Sequence, residues 1–173
     1  LLVSSANTNS VVRYDGRTGA PEGFFVPPGS GGLSGTHQAA FGPDGHLYVN
    51  NRYGHNILRY DGRTGAFLGV FVPAGSGGLD TNIGLVFGPD GNLYASCFYT
   101  HRVLRYNGAT GAFIDTFVGP GSGGLNTPIG LTFGPDANLY VCSRQTNSIL
   151  CYNGKTGVFL RAFVSDRSGG LDS

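Results

Sequence analysis

Apolar side chains fall along this chain in short runs, and Gly, Pro, Asp and Asn fill the gaps between them. In the stretch from Ile83 to Val118 the runs cover residues 83–87, 93–98, 102–106 and 112–118. None reaches the ~10–12 residues that argue for a helix, and Val, Ile, Leu, Phe and Tyr dominate them, so each is predicted to be a strand. Polar and apolar positions alternate only weakly within a run, as in IGLVF and FLGVF, which is the pattern of sheets covered on both faces. The gaps carry turn chemistry. In Gly88-Pro89-Asp90-Gly91 the proline presets its own φ, the aspartate can bond the following backbone, and glycine accepts positive φ. Asn107-Gly108-Ala109-Thr110-Gly111 joins the third and fourth runs with a hairpin signal. Three successive hairpins, giving four antiparallel strands, are the predicted unit.

That unit recurs. RYDGRTG from Arg13 returns from Arg59, then as RYNGATG from Arg105 and CYNGKTG from Cys151, each 46 residues on. FVPPGSGGL from Phe25 returns as FVPAGSGGL from Phe71, FVGPGSGGL from Phe117 and FVSDRSGGL from Phe163, while GPDG at Gly42 and Gly88 becomes GPDA at Gly134. Residues 47–92 and 93–138 share roughly 28 of 46 positions, without an insertion or deletion. The repeats are 1–46, 47–92, 93–138 and an incomplete 139–173, with boundaries near Leu47, Leu93 and Leu139. Four strands per 46 residues predict an all-β fold, a β-propeller of four-stranded blades, with about 3.75 blades in this chain. Residues 1–5 align with a second strand and the last unit stops at its connector. The expectation is one propeller domain or a fragment of one, completed by further repeats or by a second copy placed head to tail. The glycine-rich connector Pro73-Ala74-Gly75-Ser76-Gly77-Gly78-Leu79 lacks the Lys-Ser/Thr pair of a phosphate loop.

The succession GPDGNLYAS, HRVLRYNGATG, FVGPGSGGL resembles the NHL-repeat group of β-propellers, over the whole chain and most specifically in the GPDG-x-LYV unit. The resemblance implies an inner strand, a GPDG turn, a second strand, a loop carrying Asn or His, a third strand and an outer fourth strand. It covers protein-binding modules, sugar-binding modules and lactone or amide lyases, so it carries no single activity.

Composition narrows the classes. Only 12% of residues are charged, and eleven Lys+Arg against ten Asp+Glu leave a formal charge of +1. With no basic run, neither nucleic acid nor an anionic membrane surface is an expected partner. No apolar stretch approaches the ~20 residues of a membrane-spanning helix. The chain has no methionine and begins at Leu1, the expectation for a mature, cleaved or partial chain. Cys97, Cys142 and Cys151 are too few for a disulfide framework, and free thiols are expected. No N-x-S/T sequon occurs, and no zinc spacing, calcium loop or Ser-His-Asp arrangement is recognisable. No cofactor or metal is called for.

Candidate chemistry sits where the repeats differ. In propellers, the loops between second and third strands and the connectors share one face, at the mouth of the channel. Asn9, His55, His101 and Asn147 occupy one station in successive units. They read either as a ring of ligand-binding groups or as turn residues bonding their own backbone. His37 and Gln38 stand where other units have Ile83-Gly84 and Ile129-Gly130, an inner-strand departure that reads as a channel-lining polar group or as a drifted, solvated repeat. Arg52, Tyr53, Phe98, Tyr99 and Arg144 fall in the same loops and suit a binding surface. Asp44, Asp90 and Asp136 read as turn formers on the opposite face, and Arg13, Arg59 and Arg105 as structural side chains spanning blades. The expected function is a non-catalytic scaffold binding protein or glycan, extracellular or at the cell surface by resemblance. The alternative is a lyase or hydrolase acting from the channel, with His37, His55 or His101 as base.

Overall fold

The computed structural model describes residues 1–166 and 168–170, which form fifteen strands and no α-helix. The first sheet has three strands, β1 (Leu2–Ser5), β2 (Ser10–Tyr14) and β3 (Pro21–Val26). Three four-stranded sheets follow. They are β4 (Ala39–Phe41), β5 (Leu47–Asn51), β6 (Asn56–Tyr60), β7 (Phe67–Val72); then β8 (Asn82–Phe87), β9 (Leu93–Cys97), β10 (Arg102–Tyr106), β11 (Phe113–Val118); then β12 (Pro128–Phe133), β13 (Leu139–Ser143), β14 (Ser148–Tyr152), β15 (Phe159–Val164). All pairings are antiparallel between consecutive strands. Each four-stranded sheet opens on its inner strand, whereas the first sheet opens on a second strand, so the 46-residue unit counted from Leu1 cuts the first hairpin of the next sheet. We call the four sheets blades 1 to 4.

The turns form for local reasons. Asp44, Asp90 and Asp136 each accept from the backbone N–H two residues on, at 3.1 Å, and from the tyrosine hydroxyl four residues on, at 2.8 to 2.9 Å. These carboxylates are turn formers, as their sequence context implied. Burial pushes the Tyr48 and Tyr94 hydroxyls up to about 12, so they remain donors. At the other hairpin Asp15, Asp61, Asn107 and Asn153 each accept from the backbone N–H groups two and three residues on and from a threonine hydroxyl. Gly65, Gly111 and Gly157 close that turn at φ 71 to 75°, where a Cβ would fall 1.8 to 2.0 Å from the carbonyl oxygen of Phe25, Phe71 or Phe117 on the preceding blade. Glycine is required there for conformation and for contact.

Three apolar cores join the blades in sequence. Val11, Phe25, Leu33, Leu47 and Leu58 lie in the first; Tyr48, Ile57, Phe71, Leu85 and Leu93 in the second; Tyr94, Val103, Phe117, Leu131 and Leu139 in the third. Tyr48 stands edge-on between Phe71 at 4.7 Å and Phe87 at 4.9 Å, and Tyr94 repeats this between Phe117 at 4.9 Å and Phe133 at 5.0 Å. Such edge contacts add to plain burial. On blade 4, Tyr140 meets Phe163 at 4.9 Å, and the far side opens into an apolar cavity of about 380 Å³ lined by Leu131, Ile149 and Phe163 among others. No core among the described residues joins blade 4 to blade 1, so the sheets do not close into a ring.

One expectation is corrected. The repeated arginines do not span blades. Arg13 pairs with Glu22 at 2.8 Å across β2 and β3, and Arg105 makes a two-point contact with Asp115 across β10 and β11, at 3.1 and 2.5 Å. Arg105 also lies 5.0 Å from the Phe117 ring centroid, and Arg59 lies 5.8 Å from that of Phe71. Neighbouring strands of one sheet lie about 4.8 Å apart, well within an arginine's reach, whereas stacked sheets are about 10 Å apart.

Candidate functional site

The loops following each second strand meet the connectors on one face. Tyr53, Phe98 and Arg144 donate their backbone N–H to the carbonyls of Ser34, Thr81 and Thr127, each at 3.2 Å. The station shared by Asn9, His55, His101 and Asn147 is the left-handed residue that closes each loop, with φ between 45 and 53°. Their side chains do not bond their own backbone. Asn9 Oδ1 accepts from Gly35 N–H at 2.7 Å and His101 Nδ1 accepts from Thr127 N–H at 2.9 Å, a partner 26 residues on in both cases. In the middle blade an aspartate intervenes. Asp80 Oδ1 takes the Thr81 N–H at 2.7 Å and lies 3.2 Å from His55 Nδ1. For Asn147 the same offset reaches residue 173, outside the described residues. The station is therefore a latch between loop and connector, which neither sequence reading foresaw, although the fixed 26-residue spacing was its signal.

A second polar station lies deeper. Asn50 Oδ1 accepts from the N–H groups of His37 and Gln38, both at 2.8 Å, while its amide donates to the carbonyls of Asn82 at 2.9 Å and Ile83 at 2.6 Å on the next blade. Ser96 does the same work with one atom, accepting from Gly84 N–H at 2.9 Å and donating to Ile129 O at 2.6 Å. These clasps hold the inner-strand residues left out of the ladder, since pairing in β8 and β12 shifts register between Asn82 and Leu85 and between Pro128 and Leu131. The sequence marked them only as polar residues within otherwise apolar strands, Asn50 followed by Asn51 and Ser96 alone between Ala95 and Cys97. Gln38 Oε1 accepts from Leu85 N–H at 3.3 Å, so it too bridges blades.

His37 is exposed above this clasp and receives Arg52, whose Nη1 lies 3.3 Å from His37 Nε2. Burial, and then the nearby Arg52 charge, hold the imidazole below its ordinary pKa, so it serves as the acceptor. The Arg52 guanidinium carbon lies 5.4 Å from the Tyr53 ring centroid. Tyr53 and Tyr99, one repeat apart, are 65% and 60% exposed, and Phe98 packs edge-on to Tyr99 at 5.0 Å. Arg144 is exposed on blade 4. Among the described residues no three His, Cys, Asp or Glu side chains converge as a metal site, and the three cysteines are free. Burial pushes the Cys97 and Cys142 thiols up, the reverse of an activated nucleophile.

No protein-family model and no curated protein matches the sequence. Solved structures do. Virginiamycin B lyase from Staphylococcus aureus superposes with a TM-score of 0.65 and 16% identity, over 92% of this chain and 50% of that one. A chain of the nidogen/laminin complex superposes with a TM-score of 0.70 and 18% identity, over 96% of this chain and 60% of that one. Hydrazine synthase of Kuenenia stuttgartiensis gives 0.62 and 21%, over 76% and 36%. The fold is a β-propeller. The chain spans between about a third and three-fifths of the length of these structures, and at such identities the likeness concerns fold alone. The propeller neighbours include a lyase and a member of a protein complex, and the fold hosts both classes.

Proposed function

We propose that this propeller is a non-catalytic binding scaffold whose ligand face is the one formed by the second-strand loops and the connectors. The observation that carries the reading is the pair of exposed tyrosines, Tyr53 and Tyr99, at one station of adjacent blades with Arg52 beside the first. Tyrosine and arginine supply large contact area together with hydrogen bonding, the combination that dominates recognition surfaces. The latch histidines support it from the other side. His101 Nδ1 is committed to a backbone N–H and His55 Nδ1 to a carboxylate, whereas a base acting from the channel needs partners converging on one reacting atom. A protein or glycan ligand, in an extracellular or cell-surface setting, belongs to the same proposal. So does burial of the apolar face of blade 4 against another blade, from further repeats or from a second copy. Buried apolar surface is worth about 25 cal/mol per Å², and such head-to-tail contact gives a ring where the rotation closes and a filament where it does not.

Arrays of glycans and of peptides, probed with the intact protein, test the reading. Binding that falls about tenfold or more in a Tyr53→Ala, Tyr99→Ala double variant is expected. Binding unchanged in that variant would move the ligand face elsewhere, and turnover of an arrayed lactone or amide that His37→Ala abolishes would install the channel enzyme in its place.

A further inference from the structure

The station pair 37 and 52 differs between blades in a concerted way. Blade 3 has Ile83 and Phe98 there, and blade 4 has Ile129 with an exposed Arg144. Blade 2 alone sets a histidine just ahead of the inner strand and a half-buried arginine in the loop above it. Arg52 belongs to none of the ion pairs among the described residues. Among the described residues its covered Nε–H meets no acceptor and only Nη1 has a partner, the His37 ring nitrogen. Arg105, also half-buried and set over an aromatic ring, is neutralised by Asp115 through two contacts. Arg59 and Arg102 are half-buried and outside the ion pairs as well, and what sets Arg52 apart is its covered, unpartnered Nε–H and the histidine beside it. A guanidinium drawn partly out of water without an anion is an open electrostatic demand, which a planar two-oxygen acceptor meets best.

We propose that Arg52, together with His37 and the exposed Tyr53, forms a seat for a carboxylate group of the ligand at the channel mouth of blade 2. The seat rests on the binding-face reading and specifies the chemistry of one contact within it. The incoming carboxylate takes the terminal guanidinium N–H groups that His37 leaves free, the Nε–H being covered, while His37 Nε2, held as acceptor, fixes the plane of the fork. Tyr53 lies alongside, its ring on the cation and its exposed edge toward the ligand. A carboxylate is favoured over a phosphate because a single guanidinium beside a histidine held neutral suits a single negative charge.

Titration of the intact protein with sodium glucuronate, sodium acetate and sodium glutamate, followed by the arginine side-chain and histidine ring resonances, tests the seat. Saturable shifts of one arginine Nε–H and of the His37 ring are expected, with glucose giving none. The ranking of the three salts distinguishes a sugar acid from an amino-acid carboxylate or a bare one. Arg52→Gln is expected to weaken the effect about tenfold or more, Arg52→Lys to retain charge and lose most of the shift, and Arg63→Gln, an exposed arginine in the turn between third and fourth strands, to leave it unchanged. Shifts that stay linear in salt, or that survive Arg52→Gln, overturn the seat, as does equal loss in Arg63→Gln. Array binding that depends on Tyr53 and Tyr99 but not on Arg52 overturns the seat while the scaffold reading stands.

Discussion

Blades 2 and 3 place one aromatic skeleton beside two different inner-strand chemistries. In both, a tyrosine from the second strand stands edge-on between two phenylalanines and donates to a turn aspartate. Toward the second-strand loops they part, with His37, Gln38, Asn50 and Arg52 in one and Ile83, Gly84, Ser96 and Phe98 in the other. The skeleton is constrained by neighbours on both sides, so each repeat must supply it. The mouth is constrained only by its clasp to the next inner strand, and either an amide or a hydroxyl meets that need. Repetition therefore measures packing, and departures from it mark the positions free to serve a ligand.

Breaking the shared skeleton should give the largest effect, equal in the two blades. Tyr48→Ala and Tyr94→Ala each remove a ring from the middle of an interblade core and should cost about 3–5 kcal/mol, read from chemical-denaturation midpoints. The Tyr→Phe variants keep the ring and lose one hydrogen bond, for about 0.5–1.5 kcal/mol. A large difference between the blades would show that the repeats are not equivalent load sharers.

The clasps should separate them. Asn50 serves two N–H groups at the entry to the inner strand and two carbonyls of the next blade, while Ser96 serves one N–H and one carbonyl. Asn50→Ala should cost about 2–3 kcal/mol and Ser96→Ala about 1–2 kcal/mol, because a buried group left unpaired costs about 1–3 kcal/mol. Equal losses would mean that water replaces the missing amide.

Much of this was legible beforehand, for a physical reason. Strands, turns and period depend on residues that every repeat must contain, such as Asp90 in its turn and Gly111 at positive φ. The latches and clasps were not legible in the same way. Asn9 and His101 look like turn residues because they are turn residues, and their second role appears only when the connector 26 positions on is brought beside them. Arg105 was misread because a long side chain reaches its own sheet more easily than the next. His37 was singled out as an anomaly, but its partner Arg52 lies fifteen residues away across a hairpin that only the folded sheet closes.

Grafting the mouth of blade 3 onto blade 2 sharpens the comparison at little cost in stability. His37→Ile with Arg52→Phe exchanges an exposed histidine and a half-buried arginine for the apolar pair that the fold already accepts, and should change stability by no more than about 1 kcal/mol. The same variant should lose the carboxylate response. A graft that destabilises far more would show that the polar pair is structural and not a tolerated departure.

The smallest effect is a pH dependence confined to blade 2. Burial and then the Arg52 charge hold the His37 pKa below its ordinary 6.5 in the folded chain, whereas the unfolded chain returns it to that value. Below about pH 6.5 the unfolded state binds the proton more readily, so the stabilisation from neutral His37 is full above that pH and is lost as pH falls through the folded pKa. The side chain is exposed, which makes the fall shallow. The turn carboxylates stay out of this window. Asp15, Asp61 and Asp136 are held below 3.8, chiefly by hydrogen bonds, and in Asp44 and Asp90 the bonds outweigh the opposing effect of burial. Melting temperatures between about pH 7.5 and about pH 5 should therefore decline slightly more for the native chain than for the grafted variant. Arg52→Gln, which removes the repelling charge but keeps His37, should fall between them. Identical slopes in all three would place the His37 proton equilibrium outside the influence of Arg52, and would separate the histidine from the arginine in function.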